Sequence, residues 1–464
     1  MLGAKCNQAI LYALSRAKIC YSLRTYDLFV IAMPSFYIVS FCEQLSRHFY
    51  SVIWLLSLPF LLLKWGLNFV KFDKHIAFEY LSRFGCTRQT LQKNGYLLHC
   101  ASVGEVVAAQ QIVEHLLQRY PNTGVTITTN TMTGRQRVAE LFGERVTHCY
   151  LPYDFPVFVR RFLANTQPKM LLVTEMELWP NLCHHCWKNG IPVYIINGRM
   201  SEKSTASYQK LSWLMRPLFS KLSGVCAQGL RDYNNYLRLG LTPERLTLSH
   251  NIKFDIVIGQ AESERAKQLT DQLQFAGRKL LVAGSTHEPE EQVLVDAYRQ
   301  LAAIFPDLLL VIVPRHPQRF EQVNTLLRKQ NLQVIRTSRM QACNEATQVI
   351  LADQMGILRP LYALATFAFV GGSIAQRGGH NALEPAAVGV PVMMGRSIFN
   401  NPQICHELQQ AGALQFVEDA EQIVANCTTL LRQPQLHAMA AQAAQAVITQ
   451  NRGAVARTLT FLGL

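Results

Sequence analysis

Short runs rich in Val, Ile and Leu alternate with stretches of helical hydrophobic spacing over most of the chain, and this alternation restricts the possible folds more than any other feature. The first series of strand candidates comprises residues 96–102, 125–130, 147–152, 170–175, 193–198 and 224–228. Between the first two, residues 106–117 carry apolar side chains at the spacing of an amphipathic helix. Strands that alternate with helices in this way form a parallel, doubly wound sheet.

A second series of the same kind follows a polar stretch at residues 263–277. Its strand candidates are residues 279–285, 308–314, 333–337, 348–353, 367–373 and 391–395. We therefore predict an α/β protein with two Rossmann-like domains, residues 71–258 and 259–464, on either side of a cleft. Ligands of open parallel sheets bind beyond the carboxyl ends of the strands, so the active site is expected in this cleft.

The amino-terminal region predicts contact with a membrane. Residues 49–70 contain a single charged residue, Lys64, and have about the length that crosses a hydrocarbon core. Pro59 and Lys64 also allow a tilted or half-inserted helix. Basic residues follow this segment and favour the cytoplasmic side for the rest of the chain. We therefore predict a membrane anchor at residues 49–70, preceded by an extension at residues 1–48 whose start is open, with Met33 as an alternative initiator.

The charge of the chain indicates anionic partners. A formal net charge of +14 is spread over the whole sequence, which suits an anionic membrane surface or anionic substrates. Nucleic acid is not expected, because no zinc-finger spacing, heptad-linked basic region or aromatic-basic RNA-binding signature occurs.

The twelve cysteines lie mostly in apolar runs and indicate buried thiols in a reducing compartment. Cys183 and Cys186 have the spacing of a zinc or redox pair, but no second pair with suitable spacing follows them. They also fall in a stretch that is expected to be helical. We therefore expect no metal site there.

Polar clusters stand where the predicted strands end. They comprise residues 102–105, 130–134, 175–181 and 197–199 in the first half, and residues 284–288, 314–317, 353–356 and 371–384 in the second. Turns alone do not require polar residues at the ends of so many strands. The clusters therefore indicate ligand binding at the cleft.

Glu105 directly follows Gly104 at the amino end of a predicted helix, where the helix dipole stabilises an anion. It is either a first-turn helix acid or a base that faces the cleft. Glu175 and Glu177 form a second acidic cluster, either as helpers of such a base or as partners of Arg199.

The segment at residues 371–395 predicts a phosphate site. Gly378 and Gly379 let the backbone approach a ligand, and Asn381 can cap the helix that follows. Free amides at a helix start attract phosphate, and Arg315 and His316 add two anion-binding groups. The alternative is a capped helix without a ligand. Neither G-x-G-x-x-G nor G-x-x-x-x-G-K-[ST] occurs, so a Rossmann dehydrogenase or a P-loop ATPase is not supported.

Nine motifs together resemble those of one family, the bacterial transferases of 3-deoxy-D-manno-octulosonic acid (Kdo). They are ASVGE (101–105), TEMELWPN (174–181), NGRMS (197–201), IKFD (252–255), STHEPEE (285–291), VPRHPQRF (313–320), QMG (354–356), FVGGS (369–373) and GGHNALEP (378–385). The resemblance extends from about residue 49 to the end. It implies a GT-B fold, CMP-Kdo as donor, and a lipid A precursor (lipid IVA) as acceptor at the cytoplasmic face of the inner membrane.

The resemblance also implies roles for particular residues. Glu105 is the expected general base, and Glu175 and Lys253 are expected to support the transition state. The residues expected to hold CMP are Arg315, His316, Met355, Gly356, Ile357, Asn381, Ala382, Leu383 and Glu384. Ile357 stands where an acidic residue is frequent in the family, which leaves that contact to the backbone or removes it.

The expected reaction is a single displacement with inversion. Protein cations neutralise the departing CMP, so neither a metal nor a further cofactor is expected. Two other functions remain open at this point. A GT-B enzyme or epimerase that uses a UDP-sugar would share the phosphate site but not the anchor, and a membrane-tethered nucleotide-sugar sensor would tolerate the loss of Glu105.

Overall fold

The structure, a computed structural model, describes residues 35–69, 80–86, 92–256, 259–275 and 277–464. Most of the predicted extension at residues 1–48 and the end of the predicted anchor therefore lie outside the described residues. Within the described residues the chain forms two sheets of seven strands each, and every strand pair is parallel. The predicted α/β class and the two sheets are confirmed.

The first sheet has the strand order β3-β2-β1-β4-β5-β6-β7. Its strands are β1 (Tyr96–His99), β2 (Val125–Thr129), β3 (Thr147–Tyr150), β4 (Met170–Thr174), β5 (Val193–Gly198), β6 (Gly224–Ala227) and β7 (Leu246–Leu248). The helices of this half are Val103–Ala108, Gln110–Arg119, Met132–Phe142, Pro156–Thr166, Pro180–Lys188, Glu202–Lys210, Ser212–Phe219 and Leu230–Arg238. Six of the seven strands were predicted, and β7 was missed.

The second sheet has the order β10-β11-β9-β8-β12-β13-β14. Its strands are β8 (Lys279–Thr286), β9 (Leu308–Pro314), β10 (Val334–Arg336), β11 (Val349–Leu351), β12 (Phe367–Val370), β13 (Val392–Met394) and β14 (Leu414–Phe416). The helices are Gln260–Leu273, Glu290–Ile304, Phe320–Lys329, Leu358–Tyr362, Leu383–Ala387, Pro402–Gln410, Ala420–Arg432, Pro434–Asn451 and Ala454–Leu462. Here β14 is the strand that the sequence pattern missed.

Each sheet carries a buried apolar core on both faces, as parallel sheets covered by helices do. The last helix, Ala454–Leu462, packs on the first sheet, because Ala454, Leu459 and Leu462 belong to the core around β1. Its start is held by the carboxylate of Asp255, which accepts the N–H groups of Gly453 and Val455 at 2.6 Å. The chain therefore returns to the first half at its end, and the domain boundary predicted at residues 258 and 259 stays a prediction.

The amino-terminal helix Ser35–Phe69 packs one face on the first half. Trp54 lies 5.8 Å from the ring of Tyr153 and 6.4 Å from that of Trp179, centroid to centroid, and Ser51 bonds to the side chain of Asn181. In the part of the chain that the structure describes, no helix has the length and apolar character needed to cross a membrane. The anchor predicted at residues 49–70 is therefore not supported as a membrane span.

Candidate active site

Glu105 lies at the carboxyl edge of the first sheet, just beyond β1. Ser102 caps the helix Val103–Ala108, and its hydroxyl donates to Oε1 of Glu105 at 2.9 Å. Oε2 of Glu105 accepts the N–H of Ala101 at 2.8 Å. The side chain is buried, and its carboxylate is held by one bond on each oxygen. The expected first-turn acid is thus present, and each oxygen keeps a further lone pair for another proton.

Burial raises the pKa of Glu105 to about 7. This net value includes the neighbouring carboxylates of Glu175 and Glu177, which also raise the pKa, and the hydrogen bonds from Ala101 and Ser102, which lower it. A carboxylate with a pKa near the operating pH is suited to general base catalysis. The role of base stays a prediction, with this property in its favour.

Glu175 and Lys253 lie together, as their expected shared role requires. Glu175 follows β4 with a positive φ of 61°, a conformation that non-glycine residues adopt rarely. The Nζ atom of Lys253 lies 3.5 Å from Oε1 of Glu175 in the first half. The same atom donates to Oδ1 of Asn401 in the second half at 3.3 Å. Lys253 therefore bridges the two halves at the cleft.

Glu177 has partners of its own. Its Oε2 accepts Nδ2 of Asn130 at 3.1 Å and lies 3.6 Å from Nε2 of the buried His99. The proximity of His99 lowers the pKa of Glu177. Glu175 therefore pairs with Lys253 and Glu177 with Asn130, and neither carboxylate pairs with Arg199. Of the two roles predicted for these acids, the pairing with Arg199 is not observed. When the environment drives the pKa values of two acids in one site apart, one acid remains ionised while the other exchanges a proton.

The second half carries a basic pocket of about 450 Å³ at the carboxyl ends of its central strands. Arg315 and His316 follow β9 and line this pocket with exposed side chains. The N–H of Arg315 donates to the carbonyl oxygen of Thr286 at 3.1 Å, which fixes the backbone between β8 and β9. The two residues predicted as anion-binding groups are therefore brought together beside the cleft.

The other residues expected to hold CMP divide into exposed and buried groups. Met355 and Gly356 form an exposed turn just beyond β11. The side chains of Ile357, Ala382 and Leu383 are buried in the core of the second sheet, so these residues can offer only backbone atoms to a ligand.

Near Asn381, some of the backbone N–H groups that were expected to be free already form hydrogen bonds within the protein. Oδ1 of Asn381 accepts the N–H of Leu383 at 3.1 Å, but the residue at the cap position is Ala382, so Asn381, the predicted cap, lies one residue before it. The Nδ2 group of Asn381 donates to Glu384 at 3.4 Å, and burial raises the pKa of Glu384. The two glycines before this helix, Gly378 and Gly379, have positive φ and pack against Phe399 and Met394, so the fold itself requires glycine there.

Glu290 is a site residue that sequence reasoning did not single out. Its fully buried carboxylate accepts five backbone N–H groups, those of His287, Gly372, Ser373, Ile374 and Ala375. It thereby fixes the loop after β12 against the end of β8. The next residue, Glu291, forms a bidentate ion pair with Arg319 at 2.6 Å and 3.2 Å. Two adjacent acids at the start of a helix, separated from the end of β8 by three residues, were the sequence signal for this role.

Cys183 and Cys186 are buried within the helix Pro180–Lys188, as expected. Burial raises the pKa of Cys183 to about 12, which disfavours the thiolate that a metal needs. Among the described residues, no group of three or more His, Cys, Asp or Glu side chains has the arrangement of a metal site.

Two parallel sheets, with an acid at the edge of the first and an arginine-rich pocket at the edge of the second, bridged by Lys253, form a GT-B-like α/β fold with a cleft between its halves. Residues 79–256 match the family described as 3-deoxy-D-manno-octulosonic-acid transferase (kdotransferase). The chain is 38% identical over 419 residues to the 3-deoxy-D-manno-octulosonic acid transferase of Haemophilus influenzae, covering 90% of this chain and 98% of that relative. The chain therefore belongs to the Kdo transferase family and is an enzyme of that class.

One further relative agrees on the family, and one solved structure agrees on the fold. The 3-deoxy-D-manno-octulosonic acid transferase of Bordetella pertussis is 32% identical over 374 residues, 79% of this chain and 86% of that relative. The C-terminal CMP-Kdo binding domain of WaaA from Acinetobacter baumannii is 36% identical, covering 41% of this chain and 99% of that structure, with a TM-score of 0.39. UDP-GlcNAc 2-epimerase from Neisseria meningitidis shares the fold at 16% identity, with a TM-score of 0.52 over 79% of this chain and 99% of that structure.

Proposed function

We propose that the chain transfers Kdo from CMP-Kdo to a lipid A precursor, lipid IVA, in lipopolysaccharide core biosynthesis at the cytoplasmic face of the inner membrane. One observation carries the proposal. A buried carboxylate with a pKa of about 7, that of Glu105, lies at the edge of the first sheet, while an arginine-rich pocket lies at the edge of the second. A base and an anion site on the two sides of a cleft are what the transfer of a sugar from a phosphate to a hydroxyl requires.

In the proposed reaction Glu105 accepts the proton of the acceptor hydroxyl as the hydroxyl oxygen forms a bond to the anomeric carbon of Kdo. The bond from that carbon to the phosphate oxygen breaks in the same displacement, so the configuration at the carbon is inverted. CMP departs with the electron pair and gains negative charge. Arg315 and Lys253 stabilise this charge, and the transfer therefore needs no metal ion.

Transfer itself is the first prediction. Purified protein, incubated with CMP-Kdo and lipid IVA, is expected to yield a product heavier than the acceptor by one or more Kdo residues, together with free CMP. Mass spectrometry of the lipid and chromatography of the nucleotide measure both products, with and without EDTA. Transfer from a UDP-sugar instead would support the other GT-B activities. Binding of CMP-Kdo without any product would support a sensor.

We further propose that the amino-terminal helix binds the membrane surface and does not cross the bilayer. Leu55, Leu56, Phe60 and Leu63 on this helix expose 52%, 68%, 75% and 64% of their surface. A row of exposed apolar side chains of this size is typical of a surface that contacts a membrane or another protein. The formal net charge of +14 favours anionic lipids. The lipid acceptor is then presented at the surface where the enzyme is held.

Replacing Leu56 and Phe60 together with serine is expected to weaken binding to vesicles that contain anionic lipid. Each side chain contributes about 1.5–3 kcal/mol when it is buried in an apolar environment, so the fraction that sediments with the vesicles should fall by tenfold or more. Met439, which is 63% exposed on a helix of the second half, provides the matched control as Met439→Ser. Equal sedimentation of the parent and the double variant would show that this helix does not bind the membrane.

A further inference from the structure

The basic pocket of the second half contains more basic groups than the predicted CMP site uses. Besides Arg315 and His316 it is lined by His287, Arg319, Arg377 and His380. None of these four is among the residues expected to hold CMP. The charges, positions and contacts of these four side chains determine which ligand the pocket can bind.

Two guanidinium groups of the pocket have no carboxylate partner among the described residues. Arg319 is neutralised by the buried Glu291. Arg315 and Arg377 form no ion pair in the described part of the chain, although Glu288 also lines the pocket. A pocket with two uncompensated guanidinium groups is suited to a ligand with two anionic groups.

The strand order separates the two arginines along the edge of the sheet. Met355 and Gly356 follow β11, Arg315 follows β9, His287 follows β8, and Arg377 and His380 follow β12, and these four strands are neighbours in this order. Asn381 to Glu384, which are also expected to hold CMP, follow β12 as well, so the predicted nucleotide site extends along this edge from the β11 turn to the helix Leu383–Ala387. Arg377 lies on the loop before that helix and Arg315 lies beyond β9, so the two guanidinium groups can hold two different anionic groups of one ligand.

The loop that carries Arg377 is held rigidly by its backbone. Glu290 fixes residues 372–375 through backbone N–H groups. The Nδ2 group of Asn400 donates to the carbonyl oxygens of Arg377 and Gly379 at 3.0 Å and 3.1 Å. The side chain of Arg377 is exposed on this loop. A fixed backbone with an exposed guanidinium group is a preorganised anion site.

The histidines beside Arg377 act as neutral hydrogen-bonding groups. The Nε2 atoms of His287 and His380 are 2.9 Å apart, so one of them must accept and its ring must be neutral. Burial lowers the pKa of His380 to about 4. Their rings are stacked with centroids 5.2 Å apart, and His316 lies 5.3 Å from His287. The rings of His287 and His380 close this side of the pocket, and the one that accepts the bond adds no charge.

We propose that Arg377, supported by His287 and His380, binds the carboxylate of the sugar acid in the donor, while Arg315 binds its phosphate. This inference rests on the proposed function, in which the donor carries both a phosphate and the carboxylate of Kdo. It makes Arg377 a specificity-determining residue, because a nucleotide sugar without a carboxylate leaves its guanidinium group uncompensated.

The test compares the donor with its nucleotide product, since CMP retains the phosphate and lacks the carboxylate. Arg377→Ala is expected to lower kcat/KM for CMP-Kdo by about tenfold to a hundredfold and to change the calorimetric Kd for CMP by less than about twofold. Arg315→Ala is expected to weaken both. Arg377→Lys, which keeps the charge but loses the bidentate fork, is expected to recover part of the loss. Arg328→Ala, an exposed arginine on the helix Phe320–Lys329, is the matched control.

Two results would overturn the inference. If Arg377→Ala weakens CMP as strongly as Arg315→Ala does, Arg377 belongs to the phosphate site. If it changes neither CMP nor CMP-Kdo while its melting temperature matches that of the parent, the pocket holds no carboxylate. Failure of the proposed function would be seen separately, as absence of transfer from CMP-Kdo by the parent chain.

Discussion

Replacing Glu105 with glutamine is expected to slow turnover by about a hundredfold to ten-thousandfold. Glutamine keeps the size of the side chain and can still accept a bond from Ser102 or Ala101, but it cannot take the proton of the acceptor hydroxyl. The helix start loses a charge that contributes about 0.3–1 kcal/mol, so the melting temperature should fall only slightly. Transfer rates, thermal unfolding and calorimetry with CMP separate these effects. Glu105→Asp should recover part of the rate, since its carboxylate is withdrawn by one methylene.

The pH dependence gives an independent measure of the same group. A base works in its ionised form, so the rate in the parent chain is expected to rise with pH and to reach half its plateau at about pH 7, the pKa of Glu105. Ser102→Ala removes the hydroxyl that donates to this carboxylate and should move the midpoint upward without abolishing transfer.

The control for Glu105→Gln is Glu114→Gln. Glu114 lies on the neighbouring helix, Gln110–Arg119, and is paired with Arg145. A Glu105→Gln variant that transfers Kdo at the parental rate would leave Glu105 as a helix cap only. Glu175 would then become the next candidate for the base.

The fold could be predicted wherever the pattern was long enough to be recognised. The missed strands, Leu246–Leu248 and Leu414–Phe416, are three-residue strands at the edges of their sheets, and the hydrophobic signal for a strand needs about four to eight residues. The edge strand Val334–Arg336 is equally short, and it was predicted as part of the longer run at residues 333–337. The helix predicted over residues 106–117 is divided at Ala109. The return of the last helix to the first sheet depends on contacts with Asp255, about which the local pattern contains no information.

In the candidate site, too, contacts between residues close in sequence could be predicted and long-range contacts could not. Glu105 and Ser102 are three residues apart, so their capping pattern was visible in the sequence. Glu290 acts on a loop that lies 82 to 85 residues further along the chain, and Lys253 meets Asn401 across 148 residues. Such pairs form only when the sheets bring strand ends together. The burial of Ile357 likewise follows from the packing of the second core, which no motif specifies.

Replacing Lys253 with methionine is expected to lower kcat/KM by about a hundredfold to a thousandfold, the usual effect of removing one group that stabilises developing charge. The ammonium group lies between Glu175 and Asn401, and in the proposed reaction it also faces the departing CMP. Its loss leaves Glu175 without that cation beside Glu105. Since Glu175 already raises the pKa of Glu105, the pH midpoint of the variant should also move upward. Lys279→Met, at an exposed lysine paired with Asp307, is the matched control.

A second substitution separates the two ways in which Lys253 can act. Glu175→Gln combined with Lys253→Met removes the unpaired charge, and because Glu175 no longer raises the pKa of Glu105 the pH midpoint should fall below that of Lys253→Met. If Lys253 only compensates Glu175, the double variant should also recover the rate lost in Lys253→Met. If Lys253 also stabilises the leaving phosphate, the double variant should remain slow in kcat, because the cation is still missing when CMP departs. The coupling between the two substitutions, measured from all four proteins, gives the share of each effect. A Lys253→Met variant with parental kcat/KM would exclude both, and the contact with Asn401 would then serve only to join the two halves.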